Sequence, residues 1–233
     1  MIETIGITKT IGEKMILRGV NLRINQGESV AILGTNGAGK STWLKIVAGL
    51  LKQSSGDVLL DGVPRKKDDY SKQQRMGYLG HQSFLYEAFS PVENLHFFAK
   101  LYQLKSPDER IHKLIDDVGL SFFKHEPIRS FSRGMIQRLA IARAILHEPN
   151  VLLLDEPHTG LDQQAVSLFN RLLLDLKAEG VTIIMVTHDF PQISTICDRA
   201  VILRKGRIAE DEWIQGRPVS WIHSLYDGEA LSS

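Results

Sequence analysis

Apolar positions fall into three patterns along this chain. In residues 1–28 they alternate with polar ones, at Ile5 and Ile7 and again at Val20, Leu22 and Ile24. A period of two predicts two strand segments with one buried face, an antiparallel part left open to solvent on the other. Gln26-Gly27 predicts the turn that follows. The second pattern is a set of wholly apolar runs: Val30–Leu33, Val151–Leu154, Val181–Val186 and Ala200–Leu203, with Met76–Gly80 as a shorter one. Such runs predict strands buried on both faces, as in a parallel sheet covered by helices. Helical segments separate them, from Trp43 to about Leu51, from Asp162 to about Ala178 and from Pro191 to Cys197. A further strand, Val58-Leu59-Leu60, is entered by a turn at Gly56-Asp57 and left by a hairpin-type turn at Asp61-Gly62.

The third pattern is helical spacing over residues 85–145. Ser90-Pro91-Val92-Glu93 reads as a capping box with proline at the first helical position, ahead of Leu95, Phe98, Ala99 and Tyr102. Ser106-Pro107-Asp108-Glu109 repeats the device ahead of Ile111, Leu114, Ile115 and Val118. Met135, Leu139, Ala142 and Leu146 mark one face of a third helix, from Ser132 to His147. Phe97, Phe98 and Tyr102 read as core. The whole pattern predicts one α/β domain over 1–233, with a mostly parallel core sheet, an N-terminal antiparallel β part and an inserted helical subdomain at 85–145.

Composition changes this picture little. The 233 residues are 43% hydrophobic and 24% charged, and a net charge of +1 supplies no field to recruit nucleic acid or an acidic membrane. Arg65-Lys66-Lys67-Asp68-Asp69 carries both signs and reads as a solvated loop. The one cysteine, Cys197, allows no internal disulfide and reads as a buried small hydrophobe, consistent with a reducing compartment. No signal-peptide pattern opens the chain, and no apolar stretch approaches the roughly 18 residues of a membrane helix, so a membrane role would need a partner. The eight histidines show no metal-ligand spacing.

Candidate chemistry begins at Gly34-Thr35-Asn36-Gly37-Ala38-Gly39-Lys40-Ser41-Thr42, a G-x-x-x-x-G-K-[ST] phosphate loop between an apolar strand and a helix. Its glycines let the backbone approach a ligand, and its amides form an anion nest at a helix N-terminus. Lys40 can reach the β- and γ-phosphates, Ser41 can offer its hydroxyl to Mg²⁺, and Thr42 can bond the α-phosphate. Asp155 and Glu156 follow a buried strand at the end where α/β sheets place ligands. Two acids there need partners. Asp155 is placed to hold Mg²⁺ through water, and Glu156 to polarise a water for attack on a γ-phosphate.

With these two motifs in this order, the sequence resembles the ATP-binding-cassette (ABC) ATPases over almost its whole length. The phosphate-loop nucleoside-triphosphatase fold, ATP with Mg²⁺ and ATP hydrolysis are implied. So is a head-to-tail homodimer, or pairing with another ABC ATPase, at the cytoplasmic face of the membrane beside separate membrane subunits. No nucleic-acid partner is implied. By the same resemblance Gln82 contacts Mg²⁺ and the attacking water, and His188 contacts the γ-phosphate. Phe131-Ser132-Arg133-Gly134-Met135 stands at the signature LSGGQ, with Ser132 and Gly134 on the phosphates of the other copy. Thr159-Gly160-Leu161-Asp162 is similar to a loop that crosses the dimer interface. Two positions depart from the family pattern. Ile11 stands where an aromatic usually stacks on adenine, and Arg133 and Met135 replace a glycine and a glutamine. A soluble ABC ATPase acting on ribosomes or DNA is the rival reading. Such relatives usually carry two cassettes or a long insertion, and this chain has neither. Tyr78–Gln82 and His147–Asp162 further resemble the haem-exporter ATPase of cytochrome c maturation. The apolar residues of Ser83-Phe84-Leu85-Tyr86-Glu87 suggest a groove for a membrane subunit's helix.

Overall fold

A computed structural model describes residues 1–65 and 75–228. Two sheets form the framework. The first is antiparallel, in the order β2-β1-β4-β5, from strands Ile2–Ile11 (β1), Lys14–Ile24 (β2), Ser55–Leu60 (β4) and Val63–Pro64 (β5). The second has six strands in the order β10-β9-β3-β8-β7-β6. Ser29–Leu33 (β3), Met76–Leu79 (β6), Val151–Asp155 (β7), Thr182–Val186 (β8) and Arg199–Arg204 (β9) run parallel, and Arg207–Trp213 (β10) closes one edge antiparallel to β9.

Alternation along the central strands assigns their side chains to two cores. Val30, Ile32, Leu153, Ile184 and Val201 pack with helix Lys40–Val47 (α1) and the antiparallel sheet. Ala31, Leu33, Leu152, Ile183 and Ile202 pack with the helices of the other face, Pro91–Leu101 (α2), Asp108–Asp117 (α3), Arg133–Ile145 (α4), Gln163–Ala178 (α5), Phe190–Ile196 (α6) and Val219–Asp227 (α7). Burial on both faces is why these strands are apolar throughout.

The elements differ from the sequence reading at several points, each with a local cause. α1 stops at Val47, four residues before Leu51, because Gly49 takes a left-handed conformation and the amides of Leu50 and Leu51 turn back to the Lys45 carbonyl. Arg65 closes that end, donating from Nη1 to the carbonyls of Ile46 and Val47 at 2.7 and 2.9 Å, so it is no solvated loop residue. The rest of that charge run, residues 66–69, lies outside the described residues. Gly56 sits within β4 rather than at its entrance. There a Cβ would come 2.4 Å from the carbonyl oxygens of Ile5 and Gly6, which only a glycine at a strand irregularity escapes.

The capping box at Ser90 and Glu93 forms, with both reciprocal bonds present. The second does not: Ser106 is left-handed and Pro107 takes the N-cap position without a side-chain bond. Phe97, Phe98 and Tyr102 are half-buried, and of the three Phe98 packs against the core. Phe97 joins Tyr86 and Phe89 in an aromatic cluster with centroid separations of 4.7 to 6.5 Å, while Tyr102 stacks on His147 at 4.0 Å. Cys197 is buried, and burial pushes its thiol up to about 12. Among the described residues no helix is long and apolar enough to cross a membrane.

Candidate active site

A cleft of about 350 Å³ opens where the C-terminal ends of β3, β7 and β8 meet. β3 passes through Gly34 into the loop that starts α1. A side chain at Gly34 would place its Cβ 2.2 Å from the Leu203 carbonyl oxygen, at a φ of +143°. The close approach of loop and β9 therefore depends on glycine. Lys40 folds back over this loop, its Nζ donating to the carbonyls of Gly34 at 2.6 Å and Thr35 at 3.2 Å. Burial lowers its pKa, opposed by the nearby carboxylates of Glu156 and Asp155. Asn36, Gly37, Ala38, Gly39, Ser41 and Thr42 complete the loop side of the cleft.

Ser41 Oγ donates to Asp155 Oδ1 at 2.9 Å. Asp155 is 2% exposed, and its Oδ2 is buried with no hydrogen-bond partner among the described residues. An orphaned carboxylate oxygen beside a hydroxyl suits a hard, oxygen-seeking cation such as Mg²⁺. Among the described residues no group of three or more His, Cys, Asp or Glu could hold an ion. A cation here would complete its shell with phosphate and water, the usual habit of Mg²⁺.

Glu156 follows in a left-handed conformation, φ +51°, uncommon for a residue with a side chain, and its amide donates to the Val186 carbonyl at 2.8 Å. That bond ties the end of β7 to the end of β8. Burial raises the Glu156 pKa, with His188 and Lys40 pulling it back down and Asp155 adding to the rise. His188 Nε2 stands 3.3 Å from Glu156 Oε1. An acid and an imidazole thus face one another beside an amide-lined loop and a buried lysine, a set able to bind a polyphosphate and to orient water against it.

Three sequence candidates lie elsewhere. Gln82 is exposed and does not line the cleft; its neighbour His81 does. Ser132 is the N-cap of α4, exposed, its Oγ accepting from the Met135 amide at 3.3 Å. Gly134 lies against the Gly160 carbonyl, where a Cβ would come to 2.8 Å. Neither Ser132 nor Gly134 lines the cleft of its own chain. Asp162 serves as the N-cap of α5. Ile11 ends β1 at 54% exposure, and the residues of that hairpin that do line the cleft are Lys14 and Ile16 on β2. The alternation of β2 carries the only sequence signal for them. His158 and Asp189, which join the two loops bearing Glu156 and His188, had no signal beyond their place beside motifs.

A family model described as ABC transporter matches residues 17–159, from β2 through the phosphate loop and the helices to the loop after β7. The chain belongs to the ABC transporter family. It is 36% identical over 212 residues to the ABC transporter ATP-binding protein YdbJ of Bacillus subtilis (strain 168), covering 91% of this chain and 68% of that protein. To the ABC transporter ATP-binding protein NatA of the same organism it is 37% identical over 195 residues, 82% of this chain and 79% of that one. Its fold is similar to the dimeric post-hydrolysis state of the ATP-binding cassette MJ0796 bound to ADP and Pi, with a TM-score of 0.83 and 29% identity over 93% of this chain and 100% of that one. This ABC ATPase has the phosphate-loop nucleoside-triphosphatase fold, and ATP is its nucleotide.

Proposed function

We propose that this chain is the ATP-hydrolysing subunit of a transporter and that it works in head-to-tail pairs. The observation that carries this reading is the convergence of Lys40, Ser41, Asp155, Glu156 and His188 on one cleft, while Ser132 and Gly134 lie outside it. The loop amides and Lys40 hold the triphosphate. Ser41 and Asp155 hold Mg²⁺, which when bound neutralises phosphate charge. Glu156, its pKa raised by burial, takes the proton of the attacking water, and His188 holds Glu156 and reaches the γ-phosphate. Gln82 stands one residue beyond His81 and approaches the water when the second copy closes. That copy supplies Ser132 and the start of α4, whose amides meet the phosphates as a second helix N-terminus.

Among the described residues no helix spans a membrane, and as a transporter subunit the chain docks on membrane proteins at the cytoplasmic face. Tyr86 is 47% exposed beside Phe89 and Phe97, Phe84 is 46% exposed under the Arg143 guanidinium, and Leu85 packs inward. Exposed aromatics flanked by Glu87 suit a partner helix laid in a groove. Tyr86→Ala is expected to keep soluble ATPase activity and lose capture of the membrane subunit in a pull-down from membranes. Loss of soluble activity and thermal stability with capture intact would instead make this patch a packing element. For cargo, the wording around Tyr78–Gln82 and His147–Asp162 supports haem export for cytochrome c maturation. The identity of the captured membrane subunit tests it against export of another substrate.

A further inference from the structure

The two loops that carry Glu156 and His188 are joined behind the cleft by side chains that do not line it. Asp189 Oδ2 lies 3.3 Å from His158 Nδ1. A carboxylate only accepts, so Nδ1 carries a proton; Nε2 lies 3.2 Å from Asn170 Oδ1. Gln192, 2% exposed, sets its amide nitrogen beside that Nε2 and donates to Asn170 Oδ1 at 3.0 Å. His158 is further fixed edge-on against the Phe169 ring of α5, 5.5 Å between centroids. Asp189 is fixed as well: its Oδ1 caps α6 by accepting the Gln192 amide at 3.0 Å, and its own amide donates to Thr187 Oγ1 at 3.1 Å. His188 therefore sits between two anchored neighbours, and Glu156 lies two residues from the histidine that anchors one of them.

We infer that His158 is a positioning residue for hydrolysis: its hydrogen bond to Asp189 holds the Glu156 loop and the His188 loop at one spacing. This rests on the roles proposed above for Glu156 and His188. The two loops are also linked through the Glu156 carboxylate, which faces the His188 ring and accepts from the His188 backbone; Glu156 and His188 are exposed to 26% and 41%. In the clasp His158 is 12% and Asp189 39% exposed, and the further bonds of both residues give it the geometry to set the distance that the Glu156–His188 pair uses. Misplacement of reacting groups by about 1 Å can cost as much as a hundredfold in rate. Nucleotide binding depends on the phosphate loop, which the clasp does not touch.

The test is steady-state ATPase kinetics with thermal melting on His158→Ala, His158→Asn and His158→Gln, beside Glu156→Gln as control. His158→Ala is expected to lower kcat about tenfold to a hundredfold with KM for ATP within threefold. Asparagine places its amide nitrogen where Nδ1 lies and is expected to restore most of kcat; glutamine places its nitrogen where Nε2 lies and is not. A kcat within twofold of wild type in His158→Ala overturns the inference, as does a melting loss shared equally by alanine and asparagine variants without rescue of kcat. If His158→Ala does not fold, the contrast between asparagine and glutamine decides alone. Near wild-type turnover in Glu156→Gln would instead remove the reading on which the inference rests.

Discussion

Two of the glycine-bearing loops that start helices are equipped differently. The loop from Gly34 to Lys40 opens α1 inside a cleft, roofed by a buried lysine and faced by Asp155, Glu156 and His188. The loop from Phe131 to Gly134 opens α4 on the surface. There Ser132 caps its own helix and Gly134 presses on Gly160. One is rich in charge and closed; the other offers a hydroxyl and helix amides. The second loop is held from behind as firmly as the first, since Gln137 Nε2 donates to the Pro157 carbonyl at 2.8 Å, just past Glu156. A surface so fixed, and so lacking in charge partners of its own, has the character of half a site. The difference is what the proposed head-to-tail pairing needs: one chain to hold the chemistry and a second to supply the enclosure.

The largest effect that would break this division is at Glu156. Glu156→Gln is expected to keep ATP binding, to lose about 10²–10⁴-fold in turnover and to accumulate as an ATP-bound dimer, read by phosphate release and sedimentation. Turnover near wild type would remove Glu156 from the role of base. Next comes Lys40→Ala, which removes a cation from the triphosphate in ground and transition states alike. A hydrogen bond to a charged group contributes about 1.5–3 kcal/mol, so calorimetry is expected to show ATP affinity down by roughly tenfold to a hundredfold. Unchanged affinity would contradict the account of the charged loop. The smallest effect concerns the nucleobase. Ile16, which lines the cleft, can cover a base but offers no π-face, and Ile11 does not line the cleft, so ATP and GTP are expected to support hydrolysis within about tenfold of each other, a gap near 1.4 kcal/mol. A preference above about a hundredfold would show that another residue reads the base.

Much of the fold was legible because burial on both faces leaves a plain record. The strands at Val30, Val151, Thr182 and Ala200 carry no polar side chain over most of their length, and their order implied a covered parallel sheet. Where one residue type serves two purposes the record failed. Gly56 looks like a turn but marks a close crossing of β4 over β1. Ser106-Pro107 looks like a cap, yet the proline itself takes the cap position. Arg143, 6% exposed in α4, donates to the Tyr78 carbonyl at 2.6 Å and lies over the rings of Phe84 and Phe98; no spacing rule singles it out. The six-stranded sheet's edge strand β10 went unread because it carries charge and has no buried residue, and the helix α7 because its nine residues bury only Ile222 and Leu225. At the cleft, motif spacing drew attention to Lys40, Ser41, Asp155 and Glu156, and the family resemblance to His188. Long-range side-chain pairs such as His158 with Asp189, 31 residues apart, leave no local pattern at all.

The division between the two loops is tested most directly by mixing two inactive chains. Lys40→Ala spoils the charged cleft and leaves the Ser132 loop whole; Ser132→Arg spoils that loop and leaves the cleft whole. Each alone is expected to hydrolyse ATP poorly. In a head-to-tail pair of one of each, one intact cleft meets one intact Ser132 loop, so phosphate release by the mixture is expected to rise well above either parent and to grow with protein concentration. A mixture no more active than the sum of its parents, or a Ser132→Arg chain with wild-type turnover by itself, would contradict the shared site.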